Sequence, residues 1–119
     1  MNIKNIWNQF MDKYMKSAAE KIEDTEFAAD ETKRYQINFS GVVQGVGFRY
    51  ETWTIAQKLE LTGFVKNLPD GSVYAEIQGP ENKILYLIDC LQSIPRIHIE
   101  KIEMNELKLG TEIDFEITN

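Results

Sequence analysis

Apolar and polar residues alternate along three stretches of the chain, at residues 35–39, 72–79 and 97–107. A period of two is typical of a β-strand that buries one face and exposes the other to water. In the third stretch the apolar parity shifts between Ile99 and Ile102, which predicts a β-bulge. The pattern therefore predicts at least three half-buried strands.

Two further segments have the period of an α-helix with one apolar side, at residues 50–61 and 80–94. Short apolar runs at 63–67 and 113–117 complete the pattern as strands. The order of elements is then β-α-β-β-α-β with one more strand at the end. This order predicts an α+β fold, the ferredoxin-like split βαβ sandwich, in which an antiparallel-dominated sheet carries both helices on one face.

The first 33 residues follow a different pattern. Their apolar residues recur at helical spacing up to residue 22, and an acidic stretch without clear period follows. We therefore predict two regions, an amphipathic helix with an acidic linker at 1–33 and a folded domain at 34–119. Trp7, Phe10 and Tyr14 could dock on the sheet, on a second copy of the chain or on a membrane surface. The helix is not strongly basic, which argues against the membrane and favours docking or self-association, and a simple tether stays open.

Composition narrows the functional classes. The chain has 119 residues, a net charge of −6 and a single cysteine, Cys90. The acidic balance argues against a nucleic-acid partner, and one cysteine excludes both an internal disulfide and a cysteine metal cluster. No stretch approaches the roughly 18 apolar residues that a transmembrane helix needs, and no signal peptide is recognisable, so we predict a cytoplasmic protein.

The connection between the first strand and the first helix, VVQGVGFR, carries the candidate chemistry. Gly45 and Gly47 allow the backbone to curl so that successive N–H groups point inward, beside a helix N-terminus. Arg49 adds a planar guanidinium that suits two oxygens of a phosphate or carboxylate. On spacing alone, an oxyanion site and a plain tight turn with a surface arginine both remain open.

Asn67 is a second candidate, at the end of the predicted strand at 63–67. A strand-helix-strand crossover makes its two strands run in the same direction, so Asn67 and the glycine loop meet at one end of the sheet. A side-chain amide there can hold a water molecule through a donor and an acceptor. An asparagine that opens the turn Leu68 to Gly71 is the alternative, and it also fits the sequence.

Two signatures resemble the acylphosphatase family. The first is GVVQGVGFR at residues 41–49 and the second is GFVKN at residues 63–67, with Gly71, Val73 and Gly79 at the expected positions. The resemblance covers residues 34–119, and the family's ferredoxin-like fold agrees with the predicted order of elements.

The resemblance implies hydrolysis of small-molecule acyl phosphates to a carboxylate and phosphate, without a metal or other cofactor. It also implies the roles of individual residues. Arg49 would bind the phosphate, Asn67 would orient the attacking water and Thr52 would support the site. The phosphate-binding loop that it implies comprises Gln44, Gly45, Val46, Gly47, Phe48 and Arg49. The chain departs from many relatives at Glu60, where they have a glycine at the end of the first helix, and in its N-terminal extension.

Two other functions compete with hydrolysis. A non-catalytic or carbamoyl-phosphate-handling anion-binding module is one, since GVGFR also occurs in the acylphosphatase-like domain of hydrogenase-maturation carbamoyltransferases. A βαββαβ nucleic-acid-binding domain is the other, and the net charge argues against it. The single histidine, His98, is predicted to face outward and away from the glycine loop.

Overall fold

The structure is a computed structural model, and it describes residues 26–119. The predicted amphipathic helix, with Trp7, Phe10 and Tyr14, and its suggested self-association lie outside the described residues. The elements are β1 (Thr32–Val42), α1 (Phe48–Lys58), β2 (Thr62–Asn67), β3 (Val73–Pro80), α2 (Glu81–Gln92), β4 (His98–Leu107) and β5 (Phe115–Ile117).

The strands form one five-stranded mixed sheet in the order β4-β1-β3-β2-β5. β1 pairs antiparallel with β3 and β4, β2 pairs antiparallel with β3, and β5 is parallel to β2. β1 and β2 therefore run in the same direction, as the crossover through α1 predicts. The predicted ferredoxin-like fold is confirmed.

Alternate residues of the central strands build the core. Ile37, Val65, Ala75 and Ile77 are all fully buried and lie against the buried sides of the two helices. Burying this apolar surface is the main favourable contribution to folding. Cys90 on α2 is also buried. None of the helices within residues 26–119 is long and apolar enough to cross a membrane.

The predicted bulge is present in β4. Ser40 pairs with Lys101 and Gly41 with Ile99, so Glu100 is the extra residue. Gly41 is required here, because its φ is +128° and a Cβ would lie 2.2 Å from the carbonyl oxygen of His98. The bulge therefore sits directly before the glycine loop.

The connection from β4 to β5 crosses the face of the sheet that the helices leave open, because these two strands lie at opposite edges. Arg34, only 4 % exposed, fixes this connection by donating to Glu76 at 3.0 Å and to Glu112 at 2.6 Å. Ile113, predicted to belong to the last strand, precedes β5 and is 88 % exposed. That part of the prediction is wrong, because the residue belongs to the crossing connection.

The segment before β1 packs on α2. The ring of Phe27 meets the ring of Tyr86 edge-on at 5.2 Å. The N-terminus of α2 has no side-chain cap within the helix itself, and Asp30 accepts a hydrogen bond from the backbone N–H of Asn82 at 2.9 Å. β1 also begins at Thr32, two residues before the predicted start of the domain. Residues 27–31 are thus in contact with the folded domain.

Candidate active site

A cleft of about 240 Å³ opens at the end of the sheet where β1 passes into α1 and β2 ends. It lies at the carboxyl ends of two parallel strands, where the connections leave backbone groups exposed. Its lining residues are Val43, Gly45, Gly47, Phe48, Arg49, Tyr50, Asn67 and Ile117. The cleft thus brings together Gly45, Gly47, Arg49 and Asn67, the first and last of which lie 22 residues apart in the sequence.

Two glycines of the loop have the left-handed backbone conformation that occurs in nests of N–H groups. Gly45 has φ +75° and Gly47 has φ +78°, both in the left-handed region that glycine adopts at little cost. Gly47 is also the N-cap of α1, and no side chain caps that helix. The first N–H groups of α1 therefore remain able to donate to a bound anion.

Arg49 lies in the first turn of α1 and uses one of its terminal nitrogens within the protein. Nη1 donates to the backbone oxygen of Asn119, and lies 3.4 Å from the side-chain oxygen of the same residue. Nε and Nη2, which share one edge of the guanidinium, form no hydrogen bond with any residue of the described part of the chain. That edge can donate to two oxygens at once.

Asn67, at the end of β2, is held through its backbone. Its N–H donates to Oδ1 of Asn119 at 3.1 Å, and its carbonyl accepts from Nδ2 of Asn119 at 2.8 Å. The Asn67 carboxamide itself forms no hydrogen bond to another residue within 26–119, and the residue lines the cleft. Asn119 therefore contacts both predicted site residues, Arg49 and Asn67.

The side chain of Gln44 points away from the cleft, toward the turn between β2 and β3. Its Nε2 donates to the carbonyls of Leu68 and Ser72, each at 2.8 Å. Asp70 accepts from both the N–H and the hydroxyl of Ser72. These hydrogen bonds lower the pKa of Asp70 below its usual range. Gln44 thus ties the glycine loop to the turn that follows Asn67.

The remaining loop residues support the backbone. Phe48 is 2 % exposed and packs against Phe39, with 4.9 Å between the ring centroids. Thr52 is fully buried, and its hydroxyl donates to the carbonyl of Phe48 at 2.8 Å. Val46 does not line the cleft, and its carbonyl accepts from Nε of Arg96 at 2.7 Å. Of these three residues, only Phe48 lines the cleft.

Three residues near the site were missed by the sequence analysis, namely Asn119, Arg96 and Glu51. Arg96 bridges Val46 and the buried carboxylate of Glu51. Asn119 and Arg96 reach the site only through the fold, and Glu51 belongs to no motif although it lies two residues after Arg49. The position of His98 was also predicted wrongly, because it is exposed but pairs with Val42 directly before the loop. His98 does not line the cleft.

Within residues 26–119, no group of three or more His, Cys, Asp or Glu residues is placed to hold a metal ion.

Known proteins match both the sequence and the architecture of this chain. The acylphosphatase family model matches residues 35–117. An acylphosphatase from Ligilactobacillus salivarius is 39 % identical over 88 residues, which span 72 % of this chain and 98 % of that relative. The crystal structure of acylphosphatase from Bacillus subtilis superposes with a TM-score of 0.69 at 35 % identity, over 73 % of this chain and 99 % of the other.

A full-length HypF, solved in its phosphate- and nucleotide-bound form, has a segment of the same fold. It superposes with a TM-score of 0.67 at 32 % identity and covers 79 % of this chain, but only 13 % of the HypF chain. The similarity to HypF is therefore limited to one small part of that protein. The match over residues 35–117, together with relatives that align over nearly their whole length, shows that this chain belongs to the acylphosphatase family.

Proposed function

We propose that this protein hydrolyses the carboxyl-phosphate bond of acyl phosphates, with the cleft at the end of β1 and β2 as the active site. The observation that carries the proposal is the presence of Arg49, Asn67 and the two glycines of the loop in one cleft. The relatives named acylphosphatase, which align over nearly their whole length, support the same activity.

In this proposal the loop and Arg49 bind the phosphate. Residues 45–49 lead into α1. The hydrogen bonds that tie the loop to other segments use the Gln44 side chain, the Val46 carbonyl and Nη1 of Arg49, and none of them uses a backbone N–H of the loop. The loop amides and the free edge of Arg49 can then donate to the phosphoryl oxygens together. Such donors stabilise the charge that these oxygens carry in the transition state.

Asn67 orients the water. The oxygen of its carboxamide accepts a hydrogen bond from the water and so directs the water's lone pair at phosphorus. The water oxygen forms a bond to phosphorus while the bond from phosphorus to the acyl oxygen breaks. The acyl group leaves as a carboxylate, and the proton that the water loses passes to a phosphoryl oxygen. A carboxylate is a weak base, so the leaving group needs no proton, and positioning with charge stabilisation suffices.

The first test measures release of phosphate from benzoyl phosphate by the purified protein in the presence of a chelator. In ¹⁸O-labelled water the label should appear in the phosphate and not in benzoate, because water attacks phosphorus. Absence of turnover, or label in benzoate, would contradict the proposal.

Two substitutions separate binding from rate. Arg49→Ala should abolish measurable turnover and raise the dissociation constant of inorganic phosphate, measured by NMR titration. Asn67→Ala should leave phosphate inhibition close to that of the wild type and lower kcat by about 100-fold or more, the range that follows from misplacing one reactant. Asn105→Ala and Lys108→Met are controls, because Asn105 near the far end of β4 and Lys108 directly after that strand are both exposed. An Asn67→Ala protein with full activity would remove the role assigned to that residue.

A second candidate is an anion-binding module without turnover, as part of a carbamoyl-phosphate-handling system. The likeness to one segment of HypF favours it. Binding of phosphate by the wild-type protein, with no release of phosphate from benzoyl phosphate or carbamoyl phosphate, would support this candidate over hydrolysis.

A further inference from the structure

The guanidinium of Arg96 joins the glycine loop to the first turn of α1. Arg96 lies between α2 and β4, with its side chain 40 % exposed. Its Nε donates to the carbonyl of Val46 at 2.7 Å, and its Nη2 donates to Oε1 of Glu51 at 2.7 Å. Glu51 is 4 % exposed, so its carboxylate is fixed within the protein and in turn fixes the guanidinium.

The carbonyl groups of Val46 and of Gly47 each accept a hydrogen bond. Arg96 holds the carbonyl of Val46, and the backbone N–H of Glu51 donates to the carbonyl of Gly47 at 3.0 Å. In a planar trans peptide the C=O and N–H bonds point in opposite directions. The Val46 carbonyl points toward Arg96, which does not line the cleft, whereas Gly47 does. The N–H of Gly47, on the opposite side of the same peptide, therefore points toward the cleft.

We propose that Arg96 is a positioning residue, which holds the Val46–Gly47 peptide so that the N–H of Gly47 donates to the bound phosphoryl group. Arg96 does not touch the substrate. This inference rests on the proposed function, since it assigns the phosphoryl group as the ligand of that amide. Glu51 serves the same purpose through Arg96, and its position in the first turn of α1 suits a negative charge.

A different role for Arg96 would be to add positive potential near an anionic ligand. The two roles predict different results for Arg96→Lys. Lysine keeps the charge but lacks the planar fork, so it cannot donate to Val46 and Glu51 in the same geometry. If potential alone matters, Arg96→Lys behaves like the wild type and Arg96→Met does not.

The test compares the wild type with Arg96→Lys, Arg96→Met and the control Lys108→Met. The readouts are kcat and KM for benzoyl phosphate, and the ¹⁵N–¹H chemical shift of the Gly47 amide during titration with inorganic phosphate. We expect both Arg96 variants to bind phosphate about tenfold more weakly and to lose much of the Gly47 shift, the factor expected when one hydrogen bond to a charged oxygen is lost. The control should match the wild type in both readouts.

Urea unfolding of each variant separates loss of the fold from loss of the loop geometry. If Arg96→Met does not fold, Arg96→Lys with the Gly47 shift still decides the matter. A wild-type protein without turnover would remove the proposed hydrolysis, while the phosphate titration would still test Arg96. A wild-type protein with turnover, together with an Arg96→Lys protein of unchanged kcat, KM and Gly47 shift, would overturn the role of Arg96 and leave the proposed function standing.

Discussion

Glu60 occupies a backbone position that favours glycine. It follows the C-cap of α1 with φ +58°, and two hydrogen bonds close the end of the helix around it. The N–H of Leu61 donates to the carbonyl of Ala56 at 2.9 Å, and the N–H of Glu60 donates to that of Gln57 at 3.2 Å. This is the Schellman arrangement, whose left-handed residue is most often glycine. The departure noted in the sequence therefore falls on the one residue of this cap where a side chain is costly.

The size of the effect of Glu60→Gly follows from three contributions. A left-handed conformation costs a non-glycine residue about 1–2 kcal/mol. Glycine's greater freedom in the unfolded chain offsets about 0.5–1 kcal/mol of that gain. Removing an exposed negative charge from the C-terminal end of the helix adds about 0.3 kcal/mol. We expect Glu60→Gly to raise the free energy of unfolding by about 1 kcal/mol, or Tm by about 4–8 °C for a domain of this size.

Glu60→Gln is the matched control, because it removes the charge and keeps the backbone cost. Its free energy of unfolding should rise by only about 0.3 kcal/mol. Urea unfolding followed by tryptophan fluorescence measures both variants, and benzoyl phosphate hydrolysis should be unchanged, since Glu60 is exposed at the end of α1 remote from the cleft. A Glu60→Gly protein no more stable than Glu60→Gln would refute the account of backbone strain.

Three further outcomes follow from contacts outside this cap. Asp30→Ala should lower the free energy of unfolding by about 1 kcal/mol in urea titration, because the N–H of Asn82 loses its acceptor at the start of α2. Gln44→Ala should lower kcat for benzoyl phosphate by a larger fraction than it lowers the urea midpoint of unfolding, because the loop and the turn after Asn67 lose their connection. The hydrogen bond from Arg34 holds the pKa of Glu112 below its ordinary value of 4.5. Ionised Glu112 therefore stabilises the fold above that pH, and the stabilisation is lost as the pH falls through the lowered value. Glu112→Gln should flatten the acid side of the stability curve, measured by urea unfolding at a series of pH values.

The fold could be predicted largely from the sequence because its local patterns agree with its topology. The alternation in β1, β3 and β4 gives the buried face directly, and the parity shift after Ile99 gives the bulge. The path of residues 108–114 could not be predicted. Ile113 continues the spacing of Phe115 and Ile117, and only the pairing of β5 with the far edge of the sheet shows that it lies on a crossing connection.

The sequence identifies only those candidate site residues that a motif or the direction of a strand indicates. Gly45, Gly47 and Arg49 are adjacent, and the parallel direction of β1 and β2 brings Asn67 to the same end of the sheet. Asn119 and Arg96 approach from the chain's last residues and from the α2–β4 connection. Their contacts depend on the three-dimensional arrangement of distant segments, for which the sequence has no periodic signal.

The three arginines of the described chain illustrate why residue type alone does not identify a binding site. Arg34 donates from Nε, Nη1 and Nη2 to neighbouring side chains, so its guanidinium is fully used within the fold. Arg96 donates from Nε to the loop and from Nη2 to Glu51, so these two nitrogens hold parts of the fold together. Arg49 lines the cleft and donates only from Nη1, to Asn119, which leaves the edge formed by Nε and Nη2 without an acceptor among residues 26–119. Because donors that are already paired within the fold cannot also bind a ligand without exchange, the arginine with an unused edge in the cleft is the one suited to bind a phosphoryl group.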